Sequence, residues 1–310
     1  MRIRNVFGPV PSRRLGRSLG VDLVPTKACS YDCIYCQLGR TTFKTVERRE
    51  YVPMTDILME VEERLASGIK ADFITLSGSG EPTLHSDCGD IVRTIKTLTD
   101  IPVAVLTNSS LLGDPQVRDE LMAADLVIPS LDAGDAAMFA TVNRPHPAVD
   151  FTAMVDGLAT FSHAFPGRLW LEIFLLDDLT AAEDEARKIA FHAARVRADK
   201  VQINTVSRPP AEVFAKAPSR QRLTELAPLF GPKTEVVCGF SGTMEEHEFL
   251  AGRARVLDLL QGGPKTLDDL AHLSGVNRNE TLKYLELLLN DGLVHSKVRQ
   301  EIRYFYCENL

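Results

Sequence analysis

Lys27-Ala28-Cys29-Ser30-Tyr31-Asp32-Cys33-Ile34-Tyr35-Cys36 sets three cysteines on one short loop, spaced C-x3-C-x2-C, with an aromatic residue immediately before the last. Three thiolates on a tight loop can hold three corners of a cubic iron-sulfur cluster, which normally takes four thiolate ligands. One iron is then left open to a chelating small molecule. The same residue types also allow a zinc site or reduced structural thiols, although zinc sites usually present CxxC pairs and close with four ligands.

Outward from this loop, the apolar run Phe73-Ile74-Thr75-Leu76 reads as a strand and leads into Ser77-Gly78-Ser79-Gly80-Glu81-Pro82-Thr83-Leu84. A strand that ends in small residues lets backbone approach a ligand closely, because glycine carries no obstructing side chain. A Gly/Ser turn alone is also an ordinary surface turn. Its position one βα unit after the cysteines makes the pair specific.

The alternation of strand and helix continues along the chain. Strands are expected at Val21-Asp22-Leu23-Val24, Val103 to Leu106, Leu126 to Ile128, Leu169 to Leu176 and Val201 to Ile203. Helices are expected over residues 54 to 67 with Thr55 or Asp56 as cap, Asp90 to Leu98, from Pro115, Asp135 to Val142, Phe151 to Phe161, Ala182 to Arg197 with Thr180 as cap, and Arg220 to Phe230. Residues 5 to 19, rich in Gly, Pro, Ser and Arg, read as an irregular basic arm. Strand and helix in turn imply a parallel sheet with covering helices. Six such units make an open, partial (β/α)6 TIM-like barrel over residues 1–242.

Polar residues at the carboxyl ends of those strands carry weight, because ligands sit there in parallel βα folds. Asn108, Ser130 and Asp132 are candidates to hold ligand hydroxyls and polar groups, or else to cap helices and turns. Arg144 suits a substrate carboxylate or phosphate, or an acidic surface. His85 and His146 are either proton-transfer groups or structural.

The cysteine loop with Tyr35, and the glycine-rich loop Gly78-Ser79-Gly80-Glu81, resemble those of the radical S-adenosylmethionine superfamily. The segments Phe7 to Gly16, Cys36 to Gly39, Pro129 to Ala133 and Val201 to Pro210 are similar to the branch grouped with wyosine-forming transfer-RNA enzymes. The resemblance implies Cys29, Cys33 and Cys36 as ligands of a [4Fe-4S] cluster, Tyr35 near the adenine of S-adenosylmethionine, and Gly78 to Glu81 around its amino group. Asn108, Ser130 and Asp132 would then meet the ribose and methionine parts. It further implies a low-potential electron donor, flavodoxin or ferredoxin, and reductive cleavage of S-adenosylmethionine to a 5'-deoxyadenosyl radical that removes hydrogen from a substrate, an RNA base or a small anionic metabolite. Unlike the wyosine-forming enzymes, this chain has no cysteine before Cys29 that would hold a second cluster.

Composition sets the outer bounds. The 310 residues suffice for a barrel-sized domain and a small second one, and 45% hydrophobic with 25% charged residues is ordinary for a globular protein. No apolar run reaches membrane-spanning length and the N-terminus lacks a secretory pattern, so a cytoplasmic, membrane-free protein is expected. Six cysteines then argue against a disulfide framework. Cys88, Cys238 and Cys307 are scattered and read as buried hydrophobes, with Cys238 closing a strand and so able to face the site. A net charge of −7 conceals ten Lys/Arg against four Asp/Glu in residues 1–50. Arg13, Arg14 and Arg17 before the cysteines, and Arg40, Lys44, Arg48 and Arg49 after them, would steer an anionic substrate or an acidic electron donor, or else form a solvated face.

Residues 243–310 read as a separate α-rich unit. Thr266 to Asp269 is a capped helix start, Arg278 to Leu289 a second helix, and Gly292-Leu293-Val294 with Arg303-Tyr304-Phe305-Tyr306 a small β-wing, a pattern that resembles a winged helix-turn-helix. Arg278 and Lys283 are offset by Glu280 and Glu286, which makes a docking module the better reading than a DNA reader. The alternative function is an iron-sulfur or S-adenosylmethionine sensor acting through this unit on DNA or a protein partner.

Overall fold

Apolar residues on both faces of each central strand produce a sheet covered on one side by helices and lined on the other by a cavity. The computed structural model describes residues 4–237, 247–300 and 302–307. Strands β1 (Val6–Ser12) and β2 (Gly16–Val21) form an antiparallel hairpin. The short strands β3 (Ala28–Cys29) and β4 (Phe43–Lys44) bracket the cysteine loop. Helix α1 (Met54–Ala66) then leads to β5 (Phe73–Leu76), α2 (Cys88–Leu98), β6 (Val103–Thr107), α3 (Pro115–Leu121), β7 (Leu126–Pro129), α4 (Ala136–Val142) and α5 (Phe151–Ala164). Next come β8 (Arg168–Phe174), α6 (Glu183–Ala193), β9 (Lys200–Asn204), α7 (Arg220–Leu226) and β10 (Thr234–Val236). The sheet order is β1-β2-β5-β6-β7-β8-β9-β10, parallel from β2 onward and open at both edges, the partial barrel expected of serial βα units.

Period-two alternation assigns the two faces. Val103, Val105, Val127, Leu169 and Leu171 point toward the helices and join the main core. Ala104, Leu126, Ile128 and Trp170 point the other way and, with Leu15 of the hairpin, fill the concave side. Above that plug, the carboxyl ends of β5 to β9 surround the cavity.

Several boundaries differ from the sequence reading for identifiable reasons. Residues 5–19 are not an irregular arm: Val6, Phe7, Val10, Leu15 and Leu19 are buried, and a bulge between Phe7 and Val10 accommodates Gly8-Pro9 on an edge strand, where proline costs no ladder bond. The first parallel strand consequently ends at Val21 instead of running from Val21 to Val24. Pro53 precedes α1 in place of a Thr55 or Asp56 cap, and Ala182 precedes α6. Thr180 is instead buried, accepting from Leu176 N at 2.9 Å.

After residue 246, helices α8 (His247–Gln261), α9 (Leu267–Ser274) and α10 (Arg278–Asn290) precede an antiparallel hairpin of β11 (His295–Arg299) and β12 (Ile302–Tyr306). The hairpin begins at His295, later than Gly292-Leu293-Val294, because Leu293 and Val294 donate back to Leu288 O and end α10. Thr266 and Asp269 form the expected capping box. This unit does not bury its apolar surface alone: Phe7, Val10 and Leu38 share one core with Phe249, Leu282, Leu285 and Phe305. The division expected at 242/243, and Cys238, lie outside the described residues. Among the described residues, no helix is long and apolar enough to cross a membrane.

Candidate functional site

The cysteine loop is laid against the glycine-rich loop by paired backbone bonds, Lys27 N to Ser79 O at 2.5 Å and Glu81 N to Ala28 O at 3.2 Å. A Cβ on Gly80 would penetrate the carbonyl oxygen of Ala28, and one on Gly78, at φ +132°, would strike Asp22. The glycines therefore serve close contact between two protein loops. This reason adds to the ligand approach expected of them, since both glycines also line the cavity.

Cys29, Cys33 and Cys36 line a cavity of about 350 Å³, together with Tyr35, Gly78, Gly80, Glu81, Asn108 and Ser130. Each sulfur has a donor. Lys27 Nζ lies 3.2 Å from Cys36 Sγ, and the amides of Asn108 and Asn143 lie 3.5 Å from Cys29 and Cys33. Burial, then the nearby Glu81 carboxylate, pushes the Cys29 thiol up to about 12. Burial, then Cys29, holds Cys33 well above the usual thiol range. A metal that binds these sulfurs must displace their protons, and soft thiolates suit iron. Among the described residues, no three His, Cys, Asp or Glu side chains converge on one ion. In a cubic cluster three thiolates bind three different irons, an arrangement that three cysteines on one loop can supply without converging on a single ion.

Glu81 is buried. Its Oε1 accepts from Thr83 N, Thr83 Oγ1 and Thr107 Oγ1, while Oε2, among the described residues, accepts from Asn108 N at 2.7 Å alone. A carboxylate has roughly four acceptor positions, so Oε2 retains capacity toward the cavity for a further donor such as an ammonium. Burial raises the Glu81 carboxyl, which makes a cationic partner favourable there.

Two expected ligand-binding residues are turned elsewhere. Asp132 accepts from the Tyr35 hydroxyl, from Asn143 Nδ2 at 2.9 Å and from Phe174 N at 3.1 Å, and it stands behind the cavity wall. It fixes Tyr35, whose ring stacks on Phe174 at 4.0 Å between centroids. Ser79 Oγ donates to Asp22 at 2.7 Å. Arg144 pairs with Glu212 at 2.6 Å, and His85 is buried between Val52 O and Asp87 N. His146 accepts from Ala148 N. The basic residues after the cysteines are also engaged: Arg40 with Glu212, Arg48 with Glu120, Lys44 with Arg144 O, and Arg49 over the Tyr51 ring. Arg13 and Arg14 do reach the cavity.

Sequence reading missed Asn143, Arg208, Asn279 and Lys283 as site residues. Asn279 and Lys283, on α10, line the cavity although they follow the cysteines by more than half the chain. Asn277 Nδ2 bonds Asp22 at 3.1 Å and Asn279 Nδ2 bonds Ser79 Oγ at 3.2 Å, so the N-terminus of α10 is fastened to the glycine-rich loop. A second depression, of about 730 Å³, lies at the other end of the strands, near Lys96, Asp125 and Asp199, and is lined by no cysteine.

Asp22 gives the fastening a pH signature. Burial raises its carboxyl from 3.8 to about 6, against the opposing bonds from Asn277 and Ser79. The folded state then holds this proton over a range where the unfolded chain has released it, so stability falls as pH rises from about 4 to 6. Urea titrations across that range should show a loss on the order of 2–3 kcal/mol from this group, and Asp22→Asn should flatten that part of the profile. An unchanged slope in the variant would refute the assignment.

The class follows from this site and the barrel: the chain belongs to the radical SAM superfamily, whose family model matches residues 23–190, a span holding all three cysteines, Glu81, Asn108, Ser130 and Asp132. It is a radical SAM enzyme, and its cofactors are a [4Fe-4S] cluster and S-adenosylmethionine. More particularly, the chain is 33% identical to the UPF0026 protein of Methanocaldococcus jannaschii, over 98% of this chain and 96% of that one. It is 36% identical over 97% of its length to a Brachyspira hyodysenteriae protein named GTPase Obg, but spans only 44% of that protein. The present sequence has no Gly-Lys-Ser/Thr phosphate loop of its own. Among solved structures, a radical SAM methyltransferase from Sphaerobacter thermophilus shares the fold with a TM-score of 0.55 at 16% identity, covering 71% of this chain and 65% of that one.

Proposed function

We propose that this chain abstracts a hydrogen atom from a small anionic substrate held between the barrel mouth and α10. When bound and supplied with one electron from a low-potential donor such as flavodoxin or ferredoxin, the cluster and S-adenosylmethionine supply a 5'-deoxyadenosyl radical for that step. Cys29, Cys33 and Cys36 would hold the cluster, and Lys27, Asn108 and Asn143 would hydrogen-bond its sulfurs and so tune its potential. Glu81 Oε2 would take the cofactor's ammonium, Tyr35 would flank its adenine, and Asn108 and Ser130 would meet its polar edge.

The observation that carries this reading is Asn108, which joins both loops: its backbone N donates to Glu81 and its side-chain amide reaches Cys29. A cluster and a ligand ammonium would therefore be held in one rigid frame. The similarity to the wyosine-type branch favours an RNA base as substrate, whereas a 350 Å³ cavity that must also admit the cofactor favours a small molecule. A DNA-reading role for residues 243–310 finds no support in a helix whose N-terminus is fastened to the barrel.

Glu81→Gln is the test. Loss of a charge-assisted bond should weaken S-adenosylmethionine binding about 10- to 100-fold in equilibrium dialysis while iron content stays native. Unchanged affinity would remove Glu81 from the cofactor site.

A further inference from the structure

Four cations meet on the cavity wall from three distant parts of the chain: Arg13 and Arg14 between β1 and β2, Arg208 after β9, and Lys283 on α10. Glu172 pairs with Arg14, and Glu286 pairs with Arg208, leaving Lys283 Nζ 3.9 Å from that same carboxylate. Gln37, next to Cys36, also accepts from Arg208. Arg13 has no hydrogen-bonding partner among the described residues. Four positive groups therefore face two carboxylates, in a partly enclosed space where charge is weakly screened.

These cations are not required by the groups already assigned. Lys27 serves the cysteine sulfurs, and Glu81 demands a cation of its own. The cations also repel one another: burial and then Arg208 hold both Arg13 and Lys283 below their usual ranges. A bound anion would relieve that repulsion. Guanidinium forks match the paired oxygens of phosphate and carboxylate, and an ammonium adds a point charge.

We infer that Arg13, Arg14, Arg208 and Lys283 form an anchoring site for a compact dianionic oxyanion, a phosphate monoester or a dicarboxylate, carried by the substrate. The inference rests on the proposed radical chemistry only in placing that substrate beside the cofactor. The site is complete only when α10 is docked, since Lys283 and the Glu286 that orients Arg208 both come from that helix.

Calorimetric titration of the full chain with inorganic phosphate, and separately with malonate, tests it. Saturable 1:1 binding of at least one is expected, with phosphate alone indicating a phosphate ester and malonate alone a dicarboxylate. Arg13→Met and Lys283→Met should each weaken it about tenfold or more, Lys283→Arg should restore it, and Arg17→Met, on the outer pair with Asp72, should change nothing. S-adenosylmethionine affinity, measured in parallel, should be unaltered. No binding of either anion, or equal binding in all variants, overturns the site. A parallel loss of S-adenosylmethionine affinity overturns it too, by assigning the cations to the cofactor's carboxylate. Failure of the radical chemistry would appear instead as absent cofactor cleavage with anion binding intact.

Discussion

A Cys33→Ala variant should fold and yet fail to hold a cluster. Its iron content after anaerobic reconstitution should fall from about four per chain to well under one, because a ligand to the cluster itself is lost and not merely an outer hydrogen-bonding partner. Two thiolates cannot retain a cubic cluster that the fold already leaves one ligand short. The fold should persist because the lost sulfur lies at the cavity wall, only partly buried, and its removal opens space that faces the cavity. Iron analysis with circular dichroism separates the two effects. Native iron content in the variant would mean that Cys33 is not a ligand.

Gly80→Ala should be nearly as damaging by a different route. The added methyl would have to displace the Ala28 carbonyl, which is also the acceptor for Glu81 N. Overpacking of this kind costs about 1–3 kcal/mol, and here the strain falls on the contact that holds the cysteines against the Glu81 loop. The variant should show a lower urea midpoint and also weakened iron and S-adenosylmethionine binding. Stability loss without any change in binding would mean that the two loops are not mechanically coupled.

Much of this architecture was legible because its signals are local. Val103 to Leu106 and Leu126 to Ile128 are short apolar runs bounded by turn residues, and three cysteines within eight positions announce themselves without a fold. The hairpin was not legible. Phe7 and Val10 sit among Gly and Pro, and their burial depends on a core completed by residues 249–305. The role of α10 was hidden for the same reason: along the helix Glu286 cancels Lys283 one for one, but in space the same Glu286 oxygen is shared with Arg208, some eighty positions earlier. Conversely, Arg48 and Arg49 looked available and are held by Glu120 and Tyr51. Charge counts along a sequence cannot reveal which partners the fold supplies.

The central claim is that one cavity holds a cluster and S-adenosylmethionine in reactive contact. The measurement that tests it most directly is mass-spectrometric detection of 5'-deoxyadenosine after anaerobic reconstitution and reduction with S-adenosylmethionine, native chain against Cys33→Ala. Product from the native chain alone is the predicted result. A native chain carrying a full complement of iron and bound S-adenosylmethionine, yet forming no 5'-deoxyadenosine under a low-potential reductant, would contradict the account.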